Sequence, residues 1–430
     1  MRVLMLGWEF PPYISGGLGT ACYGLTKALS HAGTDILFVL PRAIGGEHAR
    51  HVRLLGRDGP APATIAAELA RVSFRAVPSP LTSPYEGVSP TRAHSPATGD
   101  AAHLGIAPPR DVSPRPDSVA HYGGDLLAAV GRYVQTCRRL ARQESFDVIH
   151  AHDWMTYPAG LAIAAQSGKP LVVHLHSTEF DRSGEHVQQQ VYDIERRGMH
   201  GSAAVICVSR LTAAVATDRY RVAPEKISVV YNGIDAAPRR EPSTSRTRCG
   251  QKIVLFLGRL TMQKGPEYFL AAAKKVLALT DDVKFIVAGS GDRLRSTVHL
   301  AAQMGIGHKV LFAGFLRGDD VARAFAMADL YVMPSVSEPF GIAPLEAITQ
   351  GVPVIISKSS GVSEVLKHAL KVDFWDIDEM ANKIVAVLRH PPLASTLREH
   401  ATAEVTRMTW DKAAGECLAL YRHVCESVPA

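Results

Sequence analysis

The chain has 430 residues, 47% of them hydrophobic, so it can bury a sizeable core, and its length favours two domains over one. Lys and Arg (47) exceed Asp and Glu (41) by a formal charge of +6, which falls short of the dense basic surface of a nucleic-acid-binding protein and suits a small anionic ligand. The six cysteines form no Cys-x-x-Cys pair, so neither a zinc site nor a disulfide framework is indicated, and we expect a reducing cytoplasm. No run of about 18 apolar residues occurs, and Trp8 and Glu9 interrupt the short apolar start, so we expect neither a transmembrane helix nor a signal peptide.

The first half of the chain alternates short apolar runs with amphipathic helical patterns, which predicts a parallel sheet covered by helices. The run RVLMLG predicts a buried strand, and a glycine-rich loop from Gly16 to Gly19 leads into an amphipathic helix that Gly33 ends. The segment DLLAAVGRYVQTCRRLARQE predicts another helix. Further strands are predicted at DILFVLP, FDVIHAHD, PLVVHLHS, AAVICVS and ISVVYNG.

Residues 77–116 interrupt this alternation with a high density of proline and serine, which cannot sustain a helix or a central strand. We interpret them as a long mobile insertion within the first domain. A disordered loop and a substrate lid are the two alternatives, and the composition favours the loop.

A second alternating series follows a polar, proline-containing stretch, residues 235–250, that is typical of a domain linker. This series predicts a second doubly wound unit. Its strands are predicted at KIVLFLG, KFIVAGSG, KVLFAGF, LYVMPS and PVIIS, and its helices begin at Gly265, at Asp319 and near Ile342. A last helix is predicted from Trp410 to Cys425.

Two such domains place the carboxyl ends of two sheets across a cleft, which is the usual ligand position in this architecture. In LGRLTMQKGPEYFL, Arg259 and Lys264 lie on a loop between a strand and a helix. Two cations beside a helix N-terminus would form a diphosphate site, with solvated surface charges as the alternative. The Gly16 to Gly19 loop could also hold a phosphate, although it lacks both the Walker pattern and a complete dinucleotide-binding pattern.

The stretch SEPFGIAPLEAITQG places Glu338 before a turn and Glu346 early in the helix that follows. At that position, the Glu346 carboxylate can accept hydrogen bonds from a vicinal diol such as a ribose. Glu338 would then face the other end of the same ligand. A carboxylate favoured by the helix macrodipole is the alternative explanation for Glu346, but it does not account for Glu338.

Taken together, the motifs WEFPP with GGLG, HDW, HLHSTEF, VSR, VVYNGID, GRLTMQKG, AGSGD and EPFGIAPLEA resemble those of the retaining GT-B glycosyltransferases, in the branch that contains glycogen and starch synthases. The match runs from the first strand to about Gly361 and leaves out the proline-rich insertion. The resemblance implies a GT-B fold of two Rossmann-like domains that face each other across a cleft. We expect an acceptor-side domain at 1–235, a nucleotide-sugar-binding domain at 236–409, and a C-terminal helix at 410–430 that packs back on the first domain.

The resemblance also implies roles for the matching residues. Arg259 and Lys264 would stabilise the departing diphosphate. Glu338 would contact sugar hydroxyls, His176 would contact the donor sugar, and Asp153 would lie near sugar and acceptor. The implied donor-binding residues are Gly16 and Gly17 near the diphosphate, the backbone of Phe340, Gly341 and Ile342 near sugar and phosphate, and Glu346 at the ribose.

The activity implied by the resemblance is the transfer of a hexose, with glucose as the expected sugar, from a nucleotide diphosphate sugar to an α-glucan with retention of configuration. UDP- or ADP-glucose is the expected donor, and no cofactor is expected. Two departures leave the base of the donor and the acceptor open, with a small-molecule or other glycoconjugate acceptor as the alternative. Met155 follows HDW where glycogen synthases commonly have histidine, and Tyr-Ile-Ser replaces the Lys-x-Gly-Gly loop near the start.

The sequence also bears on other functions. A magnesium site would require a carboxylate pair such as Asp376 and Asp378. However, WDIDEMANKIVAVL predicts an N-capped helix that lies far along the chain from the site residues, so we expect no metal. A nucleotide-sugar epimerase and a non-catalytic nucleotide-sugar-binding protein stay open as other classes. The oligomeric state is also open. The carboxylates of Glu179, Asp181 and Glu185 suit a hydroxyl-rich acceptor, with surface solvation as the alternative.

Overall fold

A computed structural model describes residues 1–10, 16–42, 71–78, 126–235 and 250–427. The described strands form two separate parallel sheets, each with the strand order of a doubly wound α/β domain. The predicted α/β class with two doubly wound domains is therefore confirmed. The predicted insertion at 77–116 lies outside the described residues except for its first two positions, and the predicted linker does so except for its two ends.

The first sheet has seven strands in the order β3-β2-β1-β4-β5-β6-β7. Strands β1, β4 and β5 are buried on both faces, as helices covering a parallel sheet require. Their buried residues are mainly apolar, apart from His150 and His152 in β4 and His174 in β5. The register of β4 and β5 places His152 opposite His174. The strands are β1 Arg2–Leu6, β2 Asp35–Arg42, β3 Val72–Pro78, β4 Val148–His152, β5 Leu171–Leu175, β6 Ala204–Cys207 and β7 Ile227–Val229.

The second sheet has six strands in the order β10-β9-β8-β11-β12-β13. Two edge strands, β3 of the first sheet and β13 of the second, lie where the sequence predicts none. Strand β3 contains Arg75 and ends in Pro78, and β13 has only three residues, so neither is a continuous apolar run. The strands of the second sheet are β8 Lys252–Leu257, β9 Val283–Ala288, β10 Val310–Gly314, β11 Leu330–Met333, β12 Val354–Ser357 and β13 Leu370–Val372.

The helices cover both faces of the sheets, and several begin or end at local signals. Asp376 accepts a hydrogen bond from the Glu379 N–H and caps its helix, and Gly168 ends another in the left-handed conformation. None of the helices in the described residues is long and apolar enough to span a membrane. They are α1 Gly17–His31, α2 Leu126–Ala141, α3 Tyr157–Ser167, α4 Glu179–Ser183, α5 Gln189–Gly201, α6 Arg210–Tyr220, α7 Pro266–Leu277, α8 Leu294–Gln303, α9 Asp319–Met327, α10 Ala343–Thr349, α11 Ile377–Arg389, α12 Pro391–Val405 and α13 Trp410–Glu426.

Helix α13 lies against α1 of the first domain, although it follows the second sheet in sequence. Its first residue, Trp410, fills the space beside Gly24, where an added Cβ would lie 2.1 Å from the indole ring. Further along α13, the hydroxyl of Tyr421 lies 2.5 Å from Nδ1 of His150 on β4. One buried apolar cluster runs from β1 through α13 to α10 and joins the two halves of the molecule. The domain boundaries at 235 and 409 stay predictions.

Candidate active site

A cavity of about 310 Å³ lies between the two domains, where the carboxyl ends of both sheets meet. Asp153 and His176 reach it directly after β4 and β5, and the loops after β8 and β11 supply its other wall. Every residue that the sequence assigns to the site lines this cavity, while the role of each stays a prediction. These residues are Gly16, Gly17, Asp153, His176, Arg259, Lys264, Glu338, Phe340, Gly341, Ile342 and Glu346.

Asp153 turns the chain sharply at the end of β4, with a backbone φ of 58° in the left-handed region. Its Oδ1 accepts hydrogen bonds from the backbone N–H groups of His176 at 2.8 Å and Ser177 at 3.3 Å. Burial raises the pKa of Asp153 to about 7, although Arg182 and the two N–H donors stabilise the carboxylate. Asp153 therefore holds the loop that carries His176 and changes its charge near neutral pH.

Four histidines from β4, β5 and the residue after β5 form a stacked array beneath the cavity. Nδ1 of His152 lies 2.9 Å from Nε2 of His176, and Nε2 of His150 lies 3.2 Å from Nδ1 of His174. Burial lowers the pKa of all four, to about 3 for His150 and His176, so the rings are neutral. Two overlapping groups, one of which includes Cys22, have donor atoms within 4.8 Å of one another and could hold a metal ion. The expectation of a metal-free site stays a prediction.

Lys264 and Glu338 form an ion pair on the second-domain wall of the cavity. Glu338 is only 7% exposed, and its carboxylate also accepts a hydrogen bond from Oγ of Ser335 at 3.1 Å. A buried carboxylate needs such partners, because an unpaired charge there would be costly. The pair therefore fixes both side chains at the cavity surface, where each can exchange its partner for a ligand atom.

Arg259 lies on the same loop as Lys264, with Nη2 at 3.5 Å from Oε1 of Gln263. The loop ends with a 3₁₀ turn at Met262–Lys264, after which Gly265 adopts a φ of 62° and α7 begins. The two cations thus lie together at the cavity wall, just before the first residue of α7. This combination favours an anionic group such as a diphosphate.

The glycine-rich segment near the start forms a helix N-terminus, not the longer loop that the sequence predicts. Gly16 precedes α1 and Gly17 is its first residue, so their N–H groups belong to the unpaired set that favours anions. On the opposite wall, Gly341 has a φ of 103°, and an added Cβ would lie 3.1 Å from Cγ of Glu338. The turn before α10 therefore requires glycine at this position.

Glu346 lies in the first turn of α10 and is half-buried in the cavity wall. Burial raises its pKa to about 7. Within the described residues, no hydrogen-bond donor reaches its carboxylate. Hydroxyl groups of a ligand would supply the missing donors.

We predict that donor binding strengthens as the pH rises through 7, because Glu346 accepts hydrogen bonds best as a carboxylate. At a pKa of about 7, its ionised fraction rises from about 10% at pH 6 to about 90% at pH 8. The dissociation constant of the nucleoside diphosphate should fall by up to about ninefold over this range, and Glu346→Gln should remove that dependence. Titration calorimetry at both pH values measures it.

The ratio of wild-type to variant affinity cancels the titration of the ligand itself, so a ratio that does not change with pH would contradict the role of Glu346. Stability gives an independent check. The folded-state pKa of about 7 exceeds the ordinary value of 4.5, so the folded protein loses stability as the pH rises between these values. The gain in the free energy of unfolding on Glu346→Gln should therefore be larger at pH 8 than at pH 4.5, by about 3 kcal/mol.

The cavity also contains polar residues that the sequence does not assign to the site. The foremost is Glu9, which is 5% exposed and lies on the first-domain wall. Its position shortly after β1, at the carboxyl end of the sheet, is the sequence signal that could have identified it. The others are Thr20, Ser177, Asn232, Gln263, Tyr331 and Ser335.

Of the three carboxylates after β5, Glu179 and Asp181 are buried and do not line the cavity, so neither acceptor contact nor surface solvation describes them. Glu179 is fully buried and accepts a hydrogen bond from Nε of Arg182 at 3.2 Å. Asp181 forms a capping box with Thr178, the N-cap residue of α4, and accepts a hydrogen bond from Oγ of Ser337 of the second domain at 2.5 Å. Neither lines the cavity, because the hydrogen bonds of both carboxylates hold the short helix α4 against its neighbours. Glu185 is exposed at the surface.

Comparisons with known proteins agree with this arrangement. Residues 88–237 match the family model described as "Glycosyltransferase Family 4", and residues 239–404 match the one described as "Glycosyl transferases group 1". A D-inositol 3-phosphate glycosyltransferase from Frankia alni is 30% identical over 302 residues, which cover 65% of this chain and 74% of the relative. The chain belongs to the group 1 glycosyltransferases. It is therefore a transferase that depends on a nucleotide sugar.

Two relatives match this glycosyltransferase over nearly its whole length. An uncharacterised glycosyltransferase from Methanocaldococcus jannaschii is 29% identical and covers 99% of each chain, and a glycogen synthase from Mycobacterium tuberculosis is 27% identical over 96% of this chain and 91% of the relative. A sucrose-phosphate synthase from Thermosynechococcus elongatus superposes with a TM-score of 0.74 at 18% identity, covering 99% of each chain. An Anabaena protein in complex with UDP and glucose superposes with a TM-score of 0.67 at 19% identity, covering 98% of this chain and all of the other. These likenesses confirm the predicted GT-B fold.

Proposed function

We propose that this glycosyltransferase is a retaining enzyme that moves glucose from UDP- or ADP-glucose to a hydroxyl group of an α-glucan. The observation that carries the proposal is the Lys264–Glu338 ion pair, which lines the same cavity as Asp153 and His176 of the other domain. A cation for the departing diphosphate and polar groups for sugar hydroxyls thus meet in one site. The glycogen synthase relative supports the glucan, and the neighbour with bound UDP and glucose supports the donor.

The main barrier is the negative charge that develops on the diphosphate as the bond between sugar and phosphate breaks. Lys264 and Arg259 supply two positive charges beside the N-terminus of α7. The first N–H groups of α1, at Gly17, add fixed dipoles from the opposite domain. Because these groups are held in place before the reaction, they stabilise the leaving group without rearrangement.

Retention follows if the acceptor attacks the anomeric carbon from the face that the diphosphate leaves. The bond from carbon to phosphate oxygen breaks while the glycosidic bond forms, and the departing phosphate oxygen takes the proton of the attacking hydroxyl. Glu338 and His176 hold the sugar by its hydroxyls during this step. Glu346 holds the ribose, so the donor is anchored at both ends.

The first-domain wall favours an uncharged, hydroxyl-rich acceptor over a phosphorylated one. Glu9 and Asp153 lie on this wall, and carboxylates accept hydrogen bonds from hydroxyls but repel phosphate. The relative from Frankia alni is named for a phosphorylated inositol, so a small phosphorylated polyol is the second candidate acceptor.

Release of nucleoside diphosphate from UDP-, ADP- and GDP-sugars tests the proposal, with maltooligosaccharide, inositol phosphate or no acceptor present. We expect release from UDP- or ADP-glucose that depends on maltooligosaccharide, with the product linkage in the α configuration by NMR. Release that depends on inositol phosphate would replace the glucan by the second candidate. A β-linked product would contradict retention. If neither UDP-glucose nor ADP-glucose releases its nucleoside diphosphate, glucose is not the transferred sugar.

A further inference from the structure

The hydrogen bond between His152 and His176 connects the cavity to a fully buried side chain. His152 is 0% exposed, and its Nδ1 lies 2.9 Å from Nε2 of His176. The other ring nitrogen of His152, Nε2, is buried and has no hydrogen-bond partner among the described residues. His176 lines the cavity, and Nδ1 is the ring nitrogen that it has left to meet a ligand there.

The nitrogen without a partner indicates which of the two histidines donates. A neutral imidazole carries one N–H and one lone pair. If His176 donated from Nε2, His152 would have to carry its proton on Nε2, where a buried N–H would find no acceptor. A buried donor without an acceptor is rare and costly. If His152 donates from Nδ1, only a lone pair stays unpaired.

We propose that His152 is a positioning residue that holds His176 as the tautomer with its proton on Nδ1, so that His176 offers the donor sugar an N–H. The contact with the sugar rests on the proposed function, whereas the tautomer does not. In this form, His176 donates a hydrogen bond through Nδ1, and its lone pair on Nε2 is occupied by His152. His176 therefore cannot take the proton of the attacking hydroxyl, which leaves that proton to the departing phosphate oxygen.

The second histidine pair follows the same rule. Nε2 of His174 is also buried without a partner among the described residues, so His174 donates from Nδ1 to Nε2 of His150. His150 then carries its proton on Nδ1 and donates it to the hydroxyl oxygen of Tyr421 at 2.5 Å. Tyr421 in turn is hydrogen-bonded to Cys417 on α13. One assignment of protons therefore provides an acceptor for each donor of this second pair.

Two substitutions of His152 test the proposal in the full chain. In His152→Asn, the amide nitrogen stands where Nδ1 stood and can still donate, whereas His152→Leu fills the core without a donor. The turnover number should change less than threefold in His152→Asn and fall about 10- to 100-fold in His152→Leu. Donor affinity and melting temperature should be similar in both variants, which separates a positioning effect from a loss of structure.

Nitrogen-15 NMR of histidine-labelled protein reads the tautomer directly, with the His176 signals assigned by their loss in His176→Gln. We expect the proton on Nδ1 in the wild type and in His152→Asn. A proton on Nε2 of wild-type His176, or equal losses of turnover in the two His152 variants, would overturn the proposal. Because the spectrum needs neither donor nor acceptor, it still decides the tautomer if the proposed glucosyl transfer fails in the wild type.

Discussion

Replacement of Lys264 by alanine is expected to lower the turnover number by about 10²- to 10³-fold, equivalent to about 3–4 kcal/mol of lost transition-state stabilisation. The ammonium group lies beside Glu338 at the cavity wall. In the proposed function, negative charge develops there on the diphosphate as its bond to the sugar breaks. Arg259 and the N-terminus of α1 also line the cavity and stay available to the ground-state diphosphate, so donor affinity should fall less than tenfold. Steady-state kinetics with titration calorimetry on the same protein separates these two quantities.

A matched control removes the same charge elsewhere. Lys275 on α7 is exposed, pairs with Asp378 and does not line the cavity, so Lys275→Ala should leave turnover within twofold. Lys264→Ala also leaves the carboxylate of Glu338 without its cation, which could lower activity by destabilising the fold. In the double variant Lys264→Ala with Glu338→Gln, stability should recover while turnover stays low. If the single variant keeps its turnover, Lys264 does not stabilise the leaving group.

The central elements of the fold could be predicted from the sequence, because strands buried on both faces appear as mainly apolar runs. Strands β1, β4 and β5 and the interior of β8 are of this kind, and each lies where its run predicts it. The edge strands β3 and β13 are different. Strand β3 contains polar residues and β13 has only three residues, and each pairs with a single neighbouring strand. Their pairing depends on contacts that local sequence does not contain.

The site could be predicted where its residues follow a strand or begin a helix within one motif. Arg259 and Lys264, or Glu338 and Glu346, are neighbours in sequence as well as in the cavity. The contact between His152 and His176 could not be predicted, because it depends on the register of β4 against β5. The raised pKa of Glu346 likewise depends on burial by distant segments.

Gly289→Ala is expected to be the most damaging small substitution in the second domain. Gly289 follows β9 with a φ of 145°, and an added Cβ would lie 1.8 Å from the carbonyl oxygen of Gly258. Gly258 is backbone immediately before Arg259, so the methyl group could be accommodated only by moving the loop that carries this cation. Overpacking against backbone together with a strained φ should cost more than about 4 kcal/mol.

The matched control is Gly305→Ala. Gly305 also has a positive φ, 75°, but an added Cβ meets nothing within 4 Å, so this variant isolates the conformational cost of about 1 kcal/mol. Denaturant unfolding of both variants measures the difference, which we attribute to the collision at Gly258. If Gly289→Ala is insoluble while Gly305→Ala folds, the expectation holds in its strongest form. If the two variants unfold within 1 kcal/mol of each other, the close approach of β9 to the Arg259 loop does not constrain the site.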